Sequence, residues 1–285
     1  MMPKSRDEYM RGLVTRSSLA CSLRAAGIRQ NDTICAHVSL SRLGYVVGAA
    51  QTVIEAIFDA VGAAGTVMMP AFSGEMSDPS EWRAPPVPVD WIESIRNEMP
   101  AFDEVRTPSR QMGVVAELFR NWPGTLRSSH PHSSFVACGP RAIDLVEGHS
   151  LNYRFGLRSP IGKLAALGGK IILLGAGPER ASVVYLAQYM SGIGAEISKA
   201  APMLVDGVRQ WVVYKDIAVD NRLVSSGVQF LLREGIARSF PVGDTQVTIF
   251  MARDALSALV AWGWRDVGFE CAIVRPPTAV PEDWR

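Results

Sequence analysis

Four stretches of this sequence carry side chains able to do chemistry. "HVSLSRLG" sets His37, Ser39 and Ser41 past an apolar strand-like run and ahead of a helical one. Backbone amides and hydroxyls in such a turn could cradle a phosphate or a pantetheine amide, although a plain turn with capping serines explains the same residues. "SSHPHSSF" holds His130 and His132 before another strand. Imidazole is the side chain best suited to proton transfer near neutral pH, and it is also a common structural donor in polar turns. "TPSRQMG" at 107–113 opens a helix after Pro108. Arg110 stands there against the helix dipole, which makes it a candidate for holding a phosphate. "KIILLGAGPERASVVYLAQYM" at 170–190 reads as a buried strand, a Gly-rich turn and a helix. Tyr185 and Gln188 are three apart on that helix, so their side chains share a face.

Other chemistries lack their signatures. GxSxG, HExxH, GxGxxG and the P-loop pattern do not occur. Cys21, Cys35, Cys138 and Cys271 are widely spaced, with no CxxC and no His at ligand spacing, so buried reduced thiols are expected for most of them and no metal site. His149 ends a predicted helix and reads as a surface partner of the C-terminal dipole. The 29 basic and 28 acidic residues leave a net charge of +1, which gives no electrostatic case for nucleic acid or an anionic membrane surface. No apolar run reaches the roughly 18 residues of a membrane span, and "MMPKSRDEYM" lacks the apolar core of a secretion signal. A cytoplasmic location is expected by default.

The elements that position these residues alternate in type. "SSLACSLRAAG" reads as a helix capped by Ser17 or Ser18 and ended by Gly27. "DTICAHVSL" is a strand, "GAAQTVIEAIFDAVG" a helix and "GTVMMPAF" a strand, which suggests a parallel pair joined by a helix. Residues 73–110 are rich in Pro, Trp and charge, and a loop of that length is more often functional than idle. Beyond it, helices are read in "MGVVAELFRNW", "PRAIDLVEGH", "PIGKLAALGG", "LVSSGVQFLLREGI" and "ARDALSALVAWG", with strands in "HSSFVACG", "KIILLGAG", "RQWVVYKDIAV" and "TQVTIFM". "RPPTAVPEDWR" reads as irregular surface. The fold class is α/β, with a central mixed or mostly parallel sheet flanked by helices. A single domain over 1–285 is expected, with an insertion near 73–110 and an elaborated C-terminal third.

In order along the chain, "HVSLSRLGYVVGAAQTVIEAI", "GTVMMPAFS", "DPSEWRAPPVP", "FDEVRTPSRQMGVVAELFRNWPGTLRSSHPHSSFVACGP", "SPIGKLAALGGKIILLGAG" and "APMLVDG" resemble the aminoglycoside 3-N-acetyltransferase family. The resemblance covers roughly residues 15–220. It implies acetyl-CoA as donor and direct attack of an amine on the thioester, without a covalent acyl-enzyme. It places the coenzyme along His37, Ser39 and Leu40, along Thr107, Arg110, Met112 and Gly113, and at Ser134 and Phe135. Asp78, Trp82 and Asp216 are the candidates for binding the acceptor, a small-molecule amine. The sequence leaves the oligomeric state open, with a homodimer one expectation.

The catalytic helix departs from the family pattern. Members resemble "HxxE" there, with His as base and Glu three residues on, whereas this chain has Tyr185-Leu186-Ala187-Gln188. A phenol with an ordinary pKa near 10 and an amide that cannot ionise are no simple substitute. Tyr185, Gln188 and His130 are the remaining catalytic candidates. Carboxylates for a polycation are also sparse after that helix, where Glu196, Asp206, Asp216 and Asp220 are the candidates. The favoured expectation is an acyl-CoA-dependent N-acyltransferase with a non-standard acceptor. The alternatives are a related fold turned to a biosynthetic cyclisation or condensation, and a non-catalytic coenzyme-binding protein.

Overall fold

The computed structural model describes residues 12–263. The readings made on "MMPKSRDEYM", Cys271 and "RPPTAVPEDWR" lie outside the described residues. In chain order the strands are β1 (Leu13–Val14), β2 (Thr33–Val38), β3 (Tyr45–Val46), β4 (Thr66–Pro70), β5 (Leu126–Arg127), β6 (Phe135–Cys138), β7 (Lys170–Leu174), β8 (Glu196–Val205), β9 (Val208–Ile217), β10 (Arg238–Val242) and β11 (Thr245–Met251). The helices are α1 (Arg16–Ala25), α2 (Ala49–Val61), α3 (Ile92–Glu98), α4 (Val114–Arg120), α5 (Ala142–Val146), α6 (Pro160–Ala166), α7 (Val183–Met190), α8 (Arg222–Arg233) and α9 (Ala252–Trp262). No described helix is long and apolar enough to cross a membrane.

Seven strands form the main sheet in the order β10-β11-β7-β2-β4-β6-β5. Only its centre is parallel: β2 pairs with β7 on one side and β4 on the other, and the flanking pairs are antiparallel. The sheet is therefore mixed. The continuous apolar runs of β2, β4 and β7 follow from cover on both faces. Cys35, Met68, Ile171 and Leu173 pack with α5 to α9, while Ile34, Ala36, Val67, Met69, Ile172 and Leu174 pack with α1, α2 and α4. Each fully buried Leu or Ile contributes about 1.5–3 kcal/mol.

Some local readings change. The cap of α1 is Thr15, not Ser17 or Ser18: Thr15 Oγ1 accepts from the Ser18 amide and Ser18 Oγ accepts from the Thr15 amide. The helix after "TPSRQMG" begins only at Val114, because Gly113 takes a left-handed φ of 87°. His149 is buried instead of exposed, and it donates from Nε2 to the Arg154 carbonyl while Nδ1 faces Ser128 Oγ at 2.9 Å.

Residues 73–110 are held as a structured wall. Arg96 on α3 pairs with Asp78, and Arg209 and Trp211 on β9 donate to the Arg96 carbonyl. The Phe102 amide donates to the carbonyl of Pro202 on β8. Arg127, buried on β5, donates to the carbonyls of Ala71, Glu104 and Thr107 and to Oγ of Ser73 and Ser134. Burial lowers its pKa to about 10. One guanidinium thus ties both ends of the insertion to the sheet.

Candidate functional site

The parallel centre of the sheet creates the site. β2 and β7 end side by side, with the Ser39 amide donating to the Leu174 carbonyl at 2.9 Å. Gly175 then turns away with a φ of 64°, where an added Cβ would lie 3.0 Å from the Ser39 carbonyl oxygen. The chains diverge past the carboxyl ends of two parallel strands, the usual place for a crevice in an α/β sheet. A cavity of about 570 Å³ opens there, lined among others by His37, Ser39, Leu40, Met112, Gly113 and Tyr185. Burial, and secondarily Arg180, lowers the His37 pKa to about 4, so this imidazole is neutral.

A second cavity, of about 550 Å³, lies between the insertion and α7. Trp82, Arg83, Arg110, His132, Arg154 and Asn221 are among its walls. Phe72, Gln111, Met112 and Tyr185 line both cavities. Gln111 has a left-handed φ of 58°, unusual for a residue with a side chain, at the point where the loop passes from one cavity to the other.

The candidate catalytic residues occupy three different settings. Tyr185 stands where the cavities meet, its ring stacked on Phe155 at 4.8 Å between centroids and its hydroxyl donating to Asn221 Oδ1 at 3.0 Å. Burial raises its pKa, so the phenol is un-ionised. Gln188 is fully buried and lines neither cavity. Its Nε2 donates to the Asp220 carbonyl at 3.1 Å and its Oε1 accepts from the Asp220 amide at 2.8 Å. Gln188 is a clamp on the β9–α8 loop and does not reach the site. His130 does not reach it either: Nδ1 accepts from the amides of His132 and Ser133, and Nε2 donates to the Leu151 carbonyl.

The other expected residues divide similarly. His37, Ser39, Leu40, Met112 and Gly113 line the first cavity. Arg110 lines the second, where it faces Glu75 at 3.4 Å. Thr107, Ser134 and Phe135 line neither: Thr107 Oγ1 accepts from the Asp103 amide, Ser134 Oγ donates to the Ala71 carbonyl, and Phe135 is core. Of the acceptor candidates, Trp82 lines the second cavity, but Asp78 caps a turn and pairs with Arg96. Asp216 is fully buried, bound by the Tyr189 hydroxyl and by Arg154.

One site residue, Arg154, was not singled out from the sequence, and a second, His132, was named there beside His130 but not chosen as the catalytic candidate. Arg154 sits in "NYRFG", where Tyr153 has a left-handed φ of 55°, and no pattern in the sequence marks it. His132, two residues from His130, lines the second cavity and accepts from Arg154 Nη1 at Nδ1, 3.3 Å away. Burial, then the charges of Arg154 and Lys199, lower its pKa to about 3. It is a neutral ring whose Nε2 carries the proton, a donor rather than a base.

Comparison with known proteins shows the family. Residues 36–263 match the family described as aminoglycoside 3-N-acetyltransferase. The chain is similar to the SPbeta prophage-derived aminoglycoside N(3')-acetyltransferase-like protein YokD of Bacillus subtilis, 36% identical over 249 residues, spanning 87% of this chain and 92% of that protein. The crystal structure of YokD superposes with a TM-score of 0.87 over 90% of this chain and 95% of the other. Aminoglycoside N(3)-acetyltransferase VIII of Streptomyces fradiae is 36% identical over 281 residues, covering 92% and 96% of the two chains. A third relative, AAC-IIIb, solved as a binary complex with CoASH, has a TM-score of 0.77 at 28% identity over 89% of this chain and 97% of its own.

Proposed function

The chain belongs to the aminoglycoside 3-N-acetyltransferase family, and from that premise we propose that it transfers acetyl from acetyl-CoA directly to an amine that is not a polycationic aminoglycoside. One observation carries the reading: two cavities of similar size meet at Phe72, Gln111, Met112 and Tyr185. Transfer without an acyl-enzyme needs both reactants side by side, and holding them so supplies much of the rate. The cavity past β2 and β7 suits the coenzyme, with Ser39 and Gly113 along its wall and Arg42 and Arg180 to meet phosphate charge. The cavity under the insertion is left for the amine.

The amine lone pair adds to the thioester carbonyl carbon. The C–S bond breaks, acetyl remains on nitrogen as an amide, and the departing thiolate takes up a proton. The amine loses its proton to water. Neither Tyr185, neutral and donating to Asn221, nor His132, with its pKa near 3, is a ready acceptor for that proton. The surroundings replace a base in another way. Three guanidiniums, on Arg83, Arg110 and Arg154, line the amine's cavity. Nearby positive charge disfavours an ammonium, so the bound amine loses its proton more readily than in water.

The test is release of free CoA thiol from acetyl-CoA with a panel of amines, followed against pH. The expected kcat/KM climbs with pH towards the acceptor's own amine pKa, with no step from an enzyme imidazole near 6.5. Kanamycin and gentamicin are expected to be poor acceptors. Their acetylation at about 1–10³ per second overturns the acceptor assignment. No thiol release with any amine overturns the transfer itself.

A further inference from the structure

We propose that the acceptor carries an oxyanion, a carboxylate or a phosphate ester, besides its reacting amine, and that Arg154, with Arg110 and Arg83, binds it. The inference rests on the acetyl-transfer reading of the same site.

Charge count favours an anion. The second cavity is lined by Arg83, Arg110 and Arg154 and by a single carboxylate, Glu75, whose Oε2 lies 3.4 Å from Arg110 Nε without a hydrogen bond. The neighbouring acids are committed elsewhere: Asp78 to Arg96, Glu81 to Lys199 and Asp220 to Arg222. Asp216 offsets one guanidinium from behind, fully buried. A polycation needs several convergent carboxylates, and the described wall offers it one.

Arg154 is positioned as a fixed donor. Its side chain is only 12% exposed, and Nη1 forms an ion pair with Asp216 Oδ2 at 2.9 Å and donates to His132 Nδ1 at 3.3 Å. Its guanidinium lies 5.3 Å from the centroid of Phe155, the ring stacked on Tyr185, which sets it one ring from the junction of the cavities. Nε is buried without a hydrogen bond, and among the described residues Nη2 has no partner. A buried guanidinium with unused donors is costly unless a ligand completes it. The bond from Arg154 also fixes the tautomer of His132 and leaves its Nε2–H as a second donor in this cavity. Guanidinium forks and a neutral N–H together match an oxyanion.

Matched amines test the assignment by calorimetry on the CoA-loaded protein: glucosamine 6-phosphate against glucosamine, and lysine against cadaverine, with kanamycin as the polycation. The anionic member of each pair is expected to bind at least about tenfold more tightly, the scale of one charge-assisted hydrogen bond. That preference should shrink in Arg154→Lys, which keeps a charge beside Asp216 but loses the fork. Because Arg154 is buried, Arg83→Ala and the pair Arg110→Gln with Glu75→Gln serve as surface variants that keep the fold. They are expected to lower the preference several-fold. Equal binding within both pairs, tighter binding of kanamycin, or no heat from any probe up to its solubility overturns the proposal. The two readings separate cleanly. Anionic preference without thiol release keeps the anion site and refutes acetyl transfer, whereas thiol release with anionic and neutral amines alike does the reverse.

Discussion

Gln188→Glu, which installs the glutamate that the family resemblance implies, should destabilise this protein, by an amount that pH sets. Gln188 has no exposed surface, and its amide bonds both the carbonyl and the amide of Asp220. An ionised carboxylate in its place still accepts from the Asp220 amide but opposes the Asp220 carbonyl oxygen. The cheaper solution is protonation, since the neutral acid has the shape of the amide and can donate to that carbonyl. The unfolded chain ionises with a pKa near 4.3, so holding the proton at pH 7 costs up to about 4 kcal/mol, and at pH 5 about 1 kcal/mol. The sign follows. The variant's folded pKa is raised, so its stability is complete below about pH 4.3 and is lost as pH rises towards the folded value. A loss of about 4 kcal/mol is a large part of the usual 5–15 kcal/mol. Urea unfolding of both proteins at pH 5 and pH 7 measures it, and acid effects common to both cancel in the difference. Adding Tyr185→His places an imidazole one turn away, which can pair with the carboxylate and let it ionise. The double variant should recover about 1–3 kcal/mol relative to the sum of the singles at pH 7. A penalty that is absent at pH 7, or equal at both pH values, would falsify the clamp.

Tyr185→Phe removes the bond to Asn221 and should cost about 1 kcal/mol of stability while leaving turnover within about threefold; a loss of 10²–10⁴ in kcat would make the phenol the proton acceptor after all. Burial pushes the pKa of His37 and of His149 down to about 4, so stability present above about pH 6.5 should be lost as pH falls towards 4. For His149 alone the loss at pH 5 is about 2 kcal/mol, and His149→Gln should show a flatter acid limb in thermal melts between pH 5 and pH 7. Arg127→Met strands several buried carbonyls and should cost about 3 kcal/mol or more; limited proteolysis should then cut first within 73–110, and an unchanged cleavage pattern would show that the insertion holds itself.

The sequence by itself determined the sheet centre, most helices and the family. Those features are written in local order: β2, β4 and β7 are continuous apolar runs because both faces are covered, and α2 repeats its apolar residues at helical spacing. The ordered motifs identify the family because their order along the chain is kept. β8 escaped notice, since Pro202 and a mixed pattern hide an exposed strand, although Asp206-Gly207 at its end is a hairpin signal. Only the tertiary structure decided which polar groups reach the cavities. His130 and His132 are two residues apart, yet one has both nitrogens taken by backbone groups and the other faces the second cavity. Gln188 and Asp216 lie in stretches that read as catalytic or acceptor-binding and are fully buried, each held by a partner from a distant segment. Arg110 lines the second cavity, next to Gln111 in its left-handed conformation. Arg154 meets Asp216 across 62 residues of chain. Burial is encoded by pattern along the chain, but the direction of a polar side chain is settled by partners far off in sequence.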